Sequence, residues 1–110
     1  MLGIDIVDIN RVDLSDTFLH AILTEEELQE YKQLKTDKRR KEYTAGRFAG
    51  KEAIFKAIHD KNYLHYSILH HTDGSPYILH HPELEISISH DGNMAIAIVM
   101  KTSSSIQSKE

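Results

Sequence analysis

The sequence predicts an α+β fold, on three observations. An N-terminal stretch rich in β-branched residues reads as a strand, a long central segment reads as helix, and two turn signals further on mark consecutive hairpins. The expected architecture is one long helix packed on an antiparallel sheet of hairpins. At 110 residues with 40% apolar content, the chain has the length of one compact domain, burying roughly two-thirds of its unfolded surface. That domain is expected over residues 1–100, with a polar, flexible tail over 101–110.

The elements follow in order. Gly3 to Ile9 is rich in isoleucine and valine and reads as the first strand, ending near Asn10. Thr24-Glu25-Glu26-Glu27 is a capping box, in which the threonine hydroxyl accepts from the Glu27 amide and the Glu27 carboxylate reaches back. The short helix it opens should bury Leu28 and Tyr31. Asp37 is a second cap candidate, opening a helix to about His59 that packs through Tyr43, Phe48, Ala49, Ala53, Phe55 and Ala57. Gly46 and Gly50 lie four apart on it, and each costs about 0.5–1 kcal/mol against alanine in a helix. Their pairing implies that another backbone comes close to that face.

Beyond the helix the pattern changes to strands. His65 to His71 and Tyr77 to His80 flank the turn signal Asp73-Gly74-Ser75-Pro76. Leu84 to Ser89 alternates, with Leu84, Ile86 and Ile88 toward a core. A turn through His90-Asp91-Gly92-Asn93 leads into Met94 to Met100. Lys101 to Glu110 is serine-rich and polar.

Composition removes several function classes. Zero cysteines exclude disulfides, thiolate zinc sites and thiol nucleophiles, which fits the cytoplasm. The longest apolar stretch, Met94 to Met100, is far too short to span a bilayer, and no basic leader precedes an apolar run near Met1. A formal charge of −4 argues against a general nucleic-acid binder. Charge distribution is more informative: between Lys35 and Lys51 seven basic residues face two acidic ones, so one local surface can attract an anion.

Two carboxylates stand out. Glu52 and Lys56 share a side of the long helix, where an exposed pair contributes about 0.3–0.5 kcal/mol and needs no function. Asp5 sits between Ile4 and Ile6 in a strand expected to be largely buried, where an unpaired charge is costly. A strand carboxylate and a helix carboxylate beside lysines suit a magnesium ion that holds a phosphate-bearing ligand, because magnesium takes few protein carboxylates and fills its remaining positions with water and phosphate oxygens. His70-His71 and His80-His81 offer a rival metal site. Adjacent strand residues point to opposite faces, however, so each pair presents one ring to a side.

Gly3-Ile4-Asp5-Ile6-Val7, Gly46 to Ala53 with Lys56-Ala57, Asp73 to Tyr77, and Ser87-Ile88-Ser89-His90 together resemble bacterial holo-acyl-carrier-protein synthases, the small type of 4'-phosphopantetheinyl transferase. The resemblance runs from Leu2 to about Val99, and its most specific part is Arg47-Phe48-Ala49-Gly50-Lys51-Glu52-Ala53 with Lys56-Ala57, combined with the Ser87–His90 strand end. It implies transfer of the phosphopantetheine arm of coenzyme A to a serine of apo acyl carrier protein, releasing adenosine 3',5'-bisphosphate, with magnesium as cofactor, in support of fatty acid biosynthesis. By the same resemblance Asp5 and Glu52 are the metal ligands and, with Lys56, the catalytic group. Lys56, Arg47, Lys51 and His90 hold coenzyme A, and Arg11, at the start of the first helix, docks the carrier protein. A homotrimer with active sites at subunit boundaries is implied as well. The stretch Ile58 to Tyr63 lacks the glycine-rich loop such enzymes often carry. The competing expectation is a binding module for coenzyme A or the carrier without transfer.

Overall fold

The structure is a computed structural model that describes residues 1–102. Its elements run β1 (Leu2–Asp8), a 3₁₀ turn (Ile9–Arg11), α1 (Asp16–Ile22), α2 (Glu25–Lys32), α3 (Asp37–Ile58), a second 3₁₀ turn (Tyr63–His65), β2 (Ile68–His70), β3 (Pro76–Ile78), β4 (Leu84–Asp91) and β5 (Met94–Lys101). The architecture is α+β as expected. β1, β5 and β4 form an antiparallel sheet in that order, and β2 and β3 form a separate two-stranded ribbon. Lys101, read as the first tail residue, closes β5 opposite Leu84. The expected tail beyond it, residues 103–110, lies outside the described residues.

α3 owes its position to small residues. Ala49, Ala53 and Ala57 are fully buried on the face it turns to the sheet, where they meet Ala97, Val99 and Leu84. β1 comes closest of all. A Cβ built on Gly3 would collide with the Ala53 carbonyl oxygen and lie 2.7 Å from the Ala57 amide nitrogen. The close backbone approach expected at Gly46 and Gly50 is therefore at Gly3; the two helix glycines instead make room for the side chains of Ile88, Ile68 and Ile86.

This packing gives β1 one inward and one exposed face, where a largely buried strand was expected. Gly3, Asp5 and Val7 turn toward α3, while Ile4 and Ile6 are exposed at 51% and 57%. β5 does the same, burying Ala95, Ala97 and Val99 and exposing Ile96, Ile98 and Met100. Gly3, Ala95 and Ala97 are small enough to let the strands approach the helix this closely, and the isoleucines and Met100 are left on the outer face. The register pairs Leu2 with Met100, Ile4 with Ile98 and Ile6 with Ile96, which assembles one apolar patch. β4 keeps the predicted alternation, with Leu84 buried and Ile86 and Ile88 partly so.

The caps follow the sequence. Thr24 and Glu27 complete the capping box, and Leu28 is buried with Tyr31 packed against the same cluster. α3 begins one residue earlier than Asp37 in capping terms: Thr36 is the cap, its hydroxyl accepting from the Arg39 amide at 3.1 Å. It ends at His59 in the left-handed region, φ 64°. The stretch from His65 yields a shorter strand than expected, because Tyr63–His65 is a 3₁₀ turn capped by Asn62. His90 belongs to β4, paired with Ala95, and Gly92-Asn93 alone makes the turn.

Candidate active site

Asp5 and Glu52 line one cleft of about 500 Å³, together with Arg11, Asp8, Phe18 and Phe48. β1 brings Asp5 there because its side chain shares the helix-facing side with Gly3 and Val7, and α3 brings Glu52 from the start of its last third. Lys56 Nζ donates to Asp5 Oδ1 at 3.0 Å and to the Ile4 carbonyl at 3.2 Å, so it lies beside the strand carboxylate. The Glu52 carboxylate accepts instead from the Tyr63 hydroxyl at Oε2. Arg11 stands in the 3₁₀ turn after β1, ahead of α1 rather than on it. Among the described residues no three Asp, Glu or His side chains converge on a point. The carboxylates lining the cleft are those of Asp5, Asp8, Asp13 and Glu52.

Arg47 and His90 line a different and larger cleft, about 810 Å³, with Lys38, Arg39, Glu42 and His70. Of the basic segment, Lys38, Arg39 and Arg47 line this recess, together with Glu30 and Glu42. Arg47 is 4% exposed and firmly held. Its Nε donates to the Ile68 carbonyl at 3.0 Å, its Nη2 lies 3.4 Å from Glu30 Oε1, and the guanidinium stacks 4.1 Å over the Tyr43 ring. With 100° between successive helix residues, Gly46 and Arg47 of this cleft face away from Phe48 and Glu52 of the other. The chain therefore carries a partly basic recess and a carboxylate-lined cleft on opposite sides of α3.

Lys51 departs from its expected role. It is 1% exposed, and its ammonium is enclosed by Ile22 O, Glu27 Oε1, Tyr63 O and Tyr66 O at 2.7–2.8 Å. No face is left for a phosphate. Burial pushes this lysine below its ordinary value, opposed by the adjacent Glu27 charge. Glu27 is itself fully enclosed and also accepts from the Thr24 and Ile68 amides. The pair ties α1, α2 and the turn after α3 to one helix position. The resemblance places Lys51 with the coenzyme A contacts, whereas its ion-pair partner lies 24 residues away in the sequence.

The histidines also separate. His70 sits against Arg47 and Glu30, His71 stacks on Tyr77 with centroids 4.2 Å apart, and His81 faces Tyr66 and Glu83. Sequence reading missed Tyr63 altogether. Its only signal was an aromatic in the polar stretch following the helix.

The family model for the 4'-phosphopantetheinyl transferase superfamily matches residues 1–99, and the chain belongs to that superfamily. It is 38% identical to the holo-[acyl-carrier-protein] synthase of Acholeplasma laidlawii, over 90% of this chain and 92% of that one. Among solved structures, it resembles the holo-(acyl-carrier-protein) synthase of Bacillus anthracis in complex with CoA (3',5'-ADP), at TM-score 0.79 and 35% identity over 93% of this chain and 96% of that one. The Helicobacter pylori holo-[acyl-carrier-protein] synthase in complex with coenzyme A gives 0.75 and 31%, over 91% and 98%.

Proposed function

We propose that this chain is a holo-[acyl-carrier-protein] synthase, moving 4'-phosphopantetheine from coenzyme A to a serine hydroxyl of apo acyl carrier protein. The observation that carries the reading is the meeting of Asp5 and Glu52, from strand and helix, in one cleft with Lys56 beside Asp5. The names of the similar proteins supply the substrates.

In the reaction the serine oxygen attacks the pyrophosphate phosphorus that bears the pantetheine arm. The new ester P–O bond forms as the bond to the bridging oxygen breaks, and adenosine 3',5'-bisphosphate leaves with that oxygen. Such a step needs in-line positioning and neutralisation of the non-bridging oxygens. Lys56, half exposed beside the cleft, can lay its charge on the pyrophosphate. Two hard oxygen donors from separate elements in an open cleft fit magnesium, which takes one or two carboxylates and leaves the rest of its shell to water and phosphates. Held by Asp5 and Glu52, it would supply further charge neutralisation. A carboxylate of this cleft, or a water on the cation, would take the serine proton. Arg47 and His90, in the basic recess, hold the phosphates at the nucleotide end of coenzyme A, and Arg11 at the rim of the carboxylate cleft faces the acidic carrier protein.

The two clefts belong together only across a subunit boundary, since α3 separates them within one chain. The apolar patch of Ile4, Ile6, Ile96 and Ile98 supplies a surface for that assembly, being a contiguous outer sheet face of the kind that marks an interface. The assembly is a homotrimer with each active site built from two neighbours.

Incubation with apo acyl carrier protein, coenzyme A and magnesium tests the reading by mass spectrometry. One phosphopantetheine added per carrier is expected. Coenzyme A binding without any gain in carrier mass would replace the enzyme with a binding module.

A further inference from the structure

We infer that Tyr63 is a positioning residue for Glu52, and that the buried Lys51 sets it in place. The inference rests on reading Glu52 as a magnesium ligand.

Tyr63 is held at both ends by neighbouring helix residues. Its backbone carbonyl accepts from Lys51 Nζ at 2.8 Å, and its side-chain hydroxyl donates to Glu52 Oε2. Its ring packs edge-on to Phe48, centroids 6.3 Å apart. Phe48 and Glu52 lie four residues apart on α3 and so share a face, and both line the carboxylate cleft. Lys51 Nζ also grips the Tyr66 carbonyl at 2.7 Å, which fixes the 3₁₀ turn from both sides. The turn cannot shift along α3 without breaking these bonds to a lysine enclosed at 1% exposure.

This arrangement does for Glu52 what an outer partner does for any metal-binding carboxylate. A glutamate on a helix has three freely rotating bonds. The tyrosine hydroxyl occupies one carboxylate oxygen and removes rotation about the last of them, leaving Oε1 as the oxygen Glu52 offers a cation. Partners of this kind typically contribute 10–100-fold to metal affinity or activity. Asp5 has a different restraint, the Lys56 ammonium, so each carboxylate carries its own neutral or cationic donor. The sequence neighbours Lys51 and Glu52 then divide one task, Lys51 placing the turn and Glu52 receiving its hydroxyl.

Tyr63→Phe keeps the ring on Phe48 and deletes only the donor. Mn2+ titrated into the protein with coenzyme A present, followed by water-proton relaxation, is expected to bind about 10-fold more weakly to this variant, with kcat for transfer reduced about 10-fold and the thermal midpoint unchanged. Tyr63→Leu, which loses ring and hydroxyl, is expected to match the phenylalanine variant in Mn2+ affinity. Wild-type Mn2+ affinity in Tyr63→Phe would overturn the inference, and so would a loss confined to Tyr63→Leu, because packing alone would then account for it. Glu52→Gln in the same titration separates the two readings. Weak binding there with a normal Tyr63→Phe sinks only the positioning role, whereas normal binding in Glu52→Gln sinks the cation site beneath it.

Discussion

Lys56 and Asp5 join the last third of α3 to the middle of β1, Nζ to Oδ1 at 3.0 Å, on the side of the strand that also carries Gly3. The pair is half open to solvent, with the lysine side chain 51% exposed, so it contributes about 0.2–1 kcal/mol to folding. On the proposed mechanism its larger effect is kinetic. Lys56→Met should lower kcat by about 10²–10³-fold, as removal of a charge-stabilising donor does, while the thermal midpoint moves little. Steady-state transfer assays beside a melt would show the split; equal losses in both would mean a structural lysine.

Lys51 should behave in the opposite way. Lys51→Met leaves Glu27 charged, enclosed and without its cation, a change that costs about 3–5 kcal/mol. Urea unfolding would reveal it as a large fall in midpoint. A midpoint near wild type would contradict the enclosure of this pair.

Gly3→Ala and Gly50→Ala form a contrasting pair. At Gly3 the added methyl meets the backbone of Ala53 and Ala57, which cannot yield without moving β1 and Asp5 with it. A loss of about 1–3 kcal/mol and of transfer activity is expected. At Gly50 the methyl lies 2.6 Å from Ile68 Cδ1 and 3.2 Å from Ile86 Cδ1, the ends of side chains that can rotate. The helix gains about 0.5–1 kcal/mol from alanine, so the net change is small. Melting both variants decides between backbone and side-chain crowding.

Tyr66 and Asp60 predict a pH window. The Tyr66 hydroxyl donates to Asp60 Oδ2 at 2.6 Å; that bond lowers Asp60 from its ordinary 3.8, while burial first and Asp60 second push Tyr66 up from 10.0 to about 12. Asp60 is depressed on folding, so its contribution is present above pH 3.8 and is lost as pH falls through the lower folded value. Tyr66 is raised, so its contribution is complete below pH 10 and is lost between 10 and about 12. Tyr66→Phe should flatten both limbs of the stability profile, read as urea midpoints across pH. Unchanged limbs would show that other groups set them.

Much of this was legible locally and little of it at long range. The Thr24–Glu27 box, the span of α3 and the alternation of β4 depend on neighbours within a few residues, and the sequence displays them directly. The inner faces of β1 and β5 were not readable, because isoleucine normally marks the buried side. Here the close packing of α3 reserves that side for Gly3, Ala95 and Ala97. Asp5 and Glu52 were found as residues, yet the donors that restrain them, Lys56 across to the strand and Tyr63 from the turn, appear only once the chain is folded. Lys51 shows the same limit: its charge is visible in the sequence, its four acceptors are not.

The apolar outer face makes a prediction about assembly. Ile96→Lys places a charge in the middle of the patch formed with Ile6 and Ile98. On the proposed homotrimer, sedimentation should change from trimer to monomer, and transfer should fall with it, because that assembly is what would bring the basic recess and the carboxylate cleft together. A monomeric variant with full activity would show that one chain suffices.

Asp5 and Glu52 are proposed to act as one unit on a shared cation, and a double-mutant cycle on transfer is the sharpest probe of that coupling. Apo acyl carrier protein, coenzyme A and magnesium are incubated with Asp5→Asn, Glu52→Gln and the double variant, and carrier mass is followed with time. Residues that act as a unit are strongly non-additive. Either single substitution should therefore cost nearly as much as both, with the fold intact. Losses that simply multiply, or a Glu52→Gln enzyme at the wild-type rate, would contradict it.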